Sequence, residues 1–109
     1  MSQFEQSLEY YRKAVESIPD MELKGKTMPY TSANGHMFSQ LNKNGELGIR
    51  LSKTDRETFY KEHGEEPFLS YGAVMKEYVK IPETLIKNPL MLTQYLISGE
   101  KYVCTLKAK

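Results

Sequence analysis

The chain has 109 residues, 15 Lys and Arg against 14 Asp and Glu, one cysteine, eight tyrosines and no tryptophan. That length fits one domain over residues 1–109 and leaves no room for a second; such a chain buries roughly 60–70% of the surface its unfolded form exposes. A formal net charge of +1 offers no whole-protein attraction for nucleic acid or an anionic membrane, so direct nucleic-acid binding is not expected. Cys104 is the only thiol, so the chain builds no internal disulfide and no cysteine-based metal site, which suits a reducing cytoplasm. The start "MSQFEQSLEYYRKAV" is amphipathic and charged, unlike a secretory signal, and the most apolar run, "LMLTQYLI", is broken by Gln94 and too short to span a membrane.

In chain order, Phe4, Leu8, Tyr11, Val15 and Ile18 recur at helical spacing and predict a helix over 2–18. Ser2 and Glu5 form a capping box at its start, and Pro19 ends it. From Met21 to Leu51 the period changes to two. Strand fragments in "KGKTMPYTSANG" are broken by Gly25, Pro29 and Gly35, and "HMFSQL" and "ELGIRL" follow as strands. Asn44-Gly45 between them predicts a type I′ hairpin turn, with Leu47, Ile49 and Leu51 on one face and Gly48 and Arg50 on the other. Ser52 with Asp55 opens a helix to about His63, and Gly64 stands where helices end in the left-handed conformation. A short extended piece near "PFLSY" precedes "AVMKEYVKIP", read as one half-buried strand although Glu77 falls on its apolar side. Asn88-Pro89 caps a final helix striped by Leu92, Leu96, Gly99, Val103 and Leu106. Gly99 costs that helix about 1 kcal/mol relative to Ala, which predicts a close approach by another element.

The order α-β-β-β-α-β-β-α predicts an α+β fold with a largely antiparallel sheet and helices mainly on one face. The other face must then be polar or covered by a partner.

Candidate chemistry is sparse. His36 and His63 lack metal-ligand spacing and read as surface histidines. Cys104 lies near a helix C-terminus, the wrong end for lowering a thiol pKa, and reads as a structural or partly buried thiol. Glu65-Glu66 and Asp55/Glu57 read as turn and helix-surface charges, and no phosphate-binding or nucleophile motif occurs. No catalytic residue, metal ligand or cofactor is expected. Tyrosine suits interfaces, since it contributes large area with few rotors and a polar tip. Tyr78, on a strand face shared with Lys76 and Lys80, is the residue of most interest; its bland reading is a sheet-surface aromatic packed on cross-strand neighbours.

The stretch "GEEPFLSYGAVMKEYVKIPETLIKNPLMLTQYLISGEKYVCTLKA" resembles the N-terminal domain of the TfoX/Sxy family in its ordered series: Gly64, Pro67-Phe68, Met75, Tyr78-Val79, Ile81-Pro82, a spacer and a long helix. "NGHMFSQLNKNGELGIRL" and "SKTDRETFYKEHG" look like that family's strand–hairpin–strand and middle helix. The likeness covers about residues 26–108. It departs at Met28-Pro29-Tyr30-Thr31-Ser32-Ala33, where family members usually carry a glycine-rich stretch. The resemblance implies a secretion-chaperone-like α+β fold, often dimeric, here as a stand-alone domain, and it carries no established catalytic residues.

The leading expectation is a cytoplasmic, non-enzymatic protein acting through protein–protein contacts as a homodimer. Its candidate interaction surface is Tyr30, His36, Phe68, Tyr71, Lys76, Tyr78 and Lys80. A competence-linked regulator acting near nucleic acid is the alternative. A small-ligand or enzymatic pocket around Tyr30, His36 and Tyr78 is a third.

Overall fold

Ser2 starts α1 (Gln3–Glu16) as an N-cap, its Oγ accepting from the Glu5 N–H at 3.1 Å. The Glu5 carboxylate completes the cap by accepting the Ser2 hydroxyl at 3.2 Å, instead of reaching back to a backbone N–H. The computed structural model describes residues 2–70 and 72–108. After α1 come β1 (Tyr30–Ala33), β2 (His36–Leu41), β3 (Leu47–Arg50), α2 (Lys53–His63), β4 (Leu69–Ser70), β5 (Ala73–Val74), β6 (Tyr78–Ile81), α3 (Glu83–Ile86) and α4 (Pro89–Cys104). Strands β1, β2, β3 and β6 form an antiparallel sheet in that order, and β4 and β5 form a separate two-stranded ribbon. The fold is α+β, as the alternation of periods predicts.

The core lies between one sheet face and the helices. Leu41, Leu47, Ile49, Leu51, Val79 and Ile81 from the sheet side meet Tyr11, Ala14 and Val15 of α1 and Leu92 and Leu96 of α4. Helix α2 joins this layer through Phe59, whose ring meets Tyr95 of α4 edge-on at 5.5 Å. Gly99 is the close approach that its position predicts. A Cβ there would stand 2.9 Å from the Arg50 carbonyl oxygen and 3.1 Å from Ile49 Cγ2. The register between β1 and β2 shifts between Thr31 and Ser32, leaving Phe38 as the extra residue; it is fully buried against α4 at Gly99. The hydroxyls of Tyr11 and Thr31 both bond the Ser39 hydroxyl inside this core, and burial pushes the Tyr11 phenol well above its ordinary pKa.

The hairpin chemistry is exchanged relative to expectation. The type I′ turn is at Asn34-Gly35, where both residues have positive φ (55° and 79°), not at Asn44-Gly45. At the second hairpin only Gly45 is left-handed (φ 81°); its N–H bonds Asn42 O at 3.0 Å, and Asn42 Oδ1 accepts from the Asn44 and Glu46 N–H groups. The Asn42 side chain thus builds a longer loop with Gly45 as its bulge residue. Asn34, one turn earlier, reaches across to the end of α4. Its Nδ2 donates to Val103 O (3.0 Å) and Leu106 O (2.9 Å), which caps that helix from outside.

Two further expectations change. Gly64 follows α2 with φ 85° but ψ 162°, so it turns the chain out extended and not left-handed helical. The single strand expected over 73–81 is divided: Glu77 has φ 70° and breaks it, so β5 pairs with β4 and only β6 enters the sheet. The spacer before α4 also contains a one-turn helix, α3, which the sequence pattern leaves unmarked.

Candidate functional site

Alternation along the strands puts Gln40, Gly48, Arg50, Tyr78 and Lys80 on the sheet face away from the core helices. Gln40 pairs with Gly48, Gly48 with Lys80, and Arg50 with Tyr78. This face is closed by the protein's own chain. The segment between α2 and β6 folds back over it, and Phe68, fully buried, settles on Gly48. A Cβ on Gly48 would come within 2.4 Å of that ring, so the notch exists because residue 48 has no side chain. Phe68 stacks on Tyr78 with centroids 5.9 Å apart and planes 26° apart. Ser70 Oγ donates to Gln40 Oε1 at 2.7 Å, and Asn42 Nδ2 donates to Leu69 O at 2.9 Å.

Charge pairs anchor the segment near both ends. At one, Lys80 lies between Glu46 (2.9 Å) and Glu66 (3.3 Å). The Asn42 and Lys80 hydrogen bonds hold the Glu46 carboxyl below its ordinary range, and the Glu46 bond raises the Lys80 ammonium. At the other, Arg50 Nε donates to Glu77 Oε1 at 2.9 Å, Arg56 Nη1 stands 3.6 Å from Oε2, and the Tyr102 hydroxyl donates to Oε2. Burial raises the Glu77 carboxyl, but the Tyr102 and Arg50 bonds and the two guanidinium charges outweigh it and leave it lowered. Arg50 also lies over the Tyr102 ring at 5.7 Å. The left-handed backbone at Glu77 presents its carboxylate to groups from β3, α2 and α4. The Glu46 and Glu77 carboxyls are thus moved down and the Lys80 ammonium up, each toward its charged form.

The six described candidate surface residues do not make one surface. Phe68 is inside, and Tyr78 is 7% exposed, its hydroxyl donating to Met37 O at 2.7 Å and its pKa pushed up to about 12 by burial. These two are corrections: the aromatic pair covers the sheet face instead of awaiting a partner. Lys80 is ion-paired and half-buried, and Lys76 is exposed after β5. Tyr30 lies at the other sheet edge, where its strand is bridged by Lys24. His36 Nε2 is 2.8 Å from Lys107 O, beside the end of α4. Tyr71 lies outside the described residues. The Tyr78 hydroxyl thus ends on Met37, the residue after His36, while Tyr30 pairs across the strands with Gln40. Cys104, expected structural or partly buried, is exposed at the end of α4.

The residues that sequence reasoning passes over are Leu69 and Val74. They are cross-strand partners on the ribbon and stand 45% and 60% exposed, outward from the buried Phe68 and Ser70. The period-two alternation of "PFLS" holds this signal: if Phe68 and Ser70 face in, Leu69 faces out. A groove of about 400 Å³ opens beside the Lys80 pairs, lined by Glu46, His63, Glu66, Lys80 and Glu83 among others. Among the described residues no three His, Cys, Asp or Glu side chains are placed to share a metal ion, and no helix is long and apolar enough to cross a membrane. No protein-family model matches the chain, and no curated protein matches it.

Proposed function

We propose that this chain is a small non-enzymatic protein of a reducing, cytoplasmic compartment that acts through protein–protein contacts, with the outer face of the β4–β5 ribbon as its contact surface. The observation that carries the reading is the side-by-side exposure of Leu69 and Val74. Single exposed apolar residues such as Leu90 are ordinary on any protein surface, whereas two that are paired across strands form a continuous apolar patch. The hydrogen bonds and ion pairs beneath the ribbon hold it on a rigid base, which lowers the entropy lost when a partner binds. The titratable groups moved away from neutrality add support, because general acid–base work calls for the opposite shift. The exposed Cys104 thiol favours the reducing compartment. Kinship with TfoX/Sxy N-terminal domains belongs to the same proposal and rests on the ordered residues from Gly64 to Ile81-Pro82 alone.

Sedimentation velocity of the full chain, beside pull-downs with wild-type bait and with a Leu69→Glu/Val74→Glu double variant, tests this reading. Contacts are expected with the wild type and are lost in the variant. A monomeric wild type whose pull-down matches that of the variant refutes it.

A further inference from the structure

We infer that the hollow between α2 and α4 docks a basic amphipathic helix of a partner protein. That helix presents an apolar side chain between two cations seven residues apart. The site goes beyond the ribbon contact and shares no residue with β4 or β5. Leu51 and Phe59, both buried, floor the hollow, and the half-buried Met91 and Tyr95 of α4 form its far wall. The Phe59 and Tyr95 rings meet at 77° with centroids 5.5 Å apart, which makes an aromatic corner. The hollow's volume of about 210 Å³ is below the roughly 300–1,000 Å³ of small-molecule pockets, but it admits one large apolar side chain.

Charge selects the occupant. Asp55 and Glu62 line the same hollow, and among the described residues its lining includes no lysine or arginine. Asp55 suits its place, since an acid in the first turn of a helix meets the positive end of the macrodipole. Glu62 does not: it stands in the last turn of α2, where an acid is disfavoured, and it pairs there with the His63 imidazole at 3.8 Å. Burial raises the Tyr95 phenol and the Glu62 carboxylate raises it further, so that carboxylate lies on the Tyr95 side of its helix. The seven residues from Asp55 to Glu62 span about 10 Å along α2, with Phe59 between them. An extended segment cannot match that spacing, because its cations on one face stand about 7 or 13 Å apart. On a helix, residues i and i+7 repeat the spacing, share a face, and carry i+4 between them over the aromatic corner. Two rim ion pairs and one apolar anchor give weak association, about 100 µM, that falls as salt screens the pairs.

NMR titration of the 15N-labelled full chain with a helical peptide tests the site. The peptide has about 20 residues, enough for an isolated helix to form, and is rich in alanine and glutamine. It carries one leucine with lysines four residues before and three after it. A control of the same composition sets the lysines two residues before and two after, off the leucine's face. The first peptide should shift amides along α2 and α4 with a Kd of about 100 µM, and the control should bind at least about fivefold more weakly. Asp55→Lys and Glu62→Lys should each weaken binding about five- to tenfold. Asp55→Lys/Glu62→Lys should bind the peptide whose two lysines are replaced by glutamates as the wild type binds the original, a recovery that an unfolded variant would not give. Leu69→Glu/Val74→Glu should bind the original peptide normally, which separates this site from the ribbon. No shifts up to about 2 mM peptide, shifts centred away from α2 and α4, equal binding of the two lysine peptides, or no recovery on charge reversal overturns the site. Loss of binding in the ribbon variant also overturns it, whereas the ribbon reading is decided by its own pull-down.

Discussion

Gly48→Ala is a one-carbon change with a large expected cost. The added Cβ would stand 2.4, 2.5 and 2.6 Å from three atoms of the Phe68 ring, where ordinary carbon contacts lie at about 3.5–4.0 Å. The ring must retreat by more than about 1 Å, yet it is fully buried and stacked on Tyr78. If the surroundings yield, the cost is that of overpacking, about 1–3 kcal/mol. If the ring is expelled and the segment over the sheet lifts, the cost approaches that of losing a buried Phe, about 3–5 kcal/mol. Residue 48 is not in a left-handed conformation, so alanine is not strained there. Once Phe68 is gone, Gly48→Ala should be neutral or stabilise the strand by about 0.5–1 kcal/mol. The assay is urea unfolding of the wild type, Gly48→Ala, Phe68→Ala and the double variant, read as a double-mutant cycle. A favourable coupling of about 2 kcal/mol or more is expected between the two substitutions. Equal costs for Gly48→Ala in both backgrounds would refute the claim that Phe68 closes the sheet over this glycine.

Substitutions at three other positions probe the remaining anchors. Glu77 is left-handed with φ 70°, so Glu77→Gly should be less destabilising than Glu77→Ala by about 1 kcal/mol in chemical denaturation, although both lose the arginine pairs. Because the folded Glu77 carboxyl lies below its ordinary value of 4.5, its contribution is present above that pH and lost as pH falls through the folded value. The stability gap between wild type and Glu77→Gln should therefore close in acid and stay constant from pH 6 to 8, as followed by the urea midpoint. Gly99→Ala should destabilise by about 1–3 kcal/mol despite its better helix propensity, since the new Cβ would meet the Arg50 carbonyl oxygen at 2.9 Å; a gain in melting temperature would contradict this close approach. Asn34→Gly keeps the positive φ but loses the bonds to Val103 O and Leu106 O, so it should cost about 1 kcal/mol and speed amide exchange at the end of α4, with Asn34→Ala costing more.

What the sequence by itself determined is what local chemistry determines. Ser2, Ser52 and Asn88 cap the helices they precede because a side-chain oxygen bonds a nearby N–H. Leu47, Ile49 and Leu51 share a face because strand side chains alternate. Gly99 signalled a close approach because a mid-helix glycine is otherwise a cost. Only the tertiary structure decided the rest. The turn type at Asn44-Gly45 was set by the Asn42 side chain, a neighbour that competes for the same backbone groups. The strand around Glu77 was interrupted because Arg50, Arg56 and Tyr102, distant in sequence, converge on its carboxylate. Phe68 and Tyr78, both placed on the candidate interaction surface, lie inward, the first of them on a glycine twenty residues before it. Burial depends on what lies opposite, and no period along the chain records that. Leu69 and Val74 became the exposed pair for the same reason: once Phe68 and Ser70 are committed to the sheet, alternation turns their neighbours to solvent.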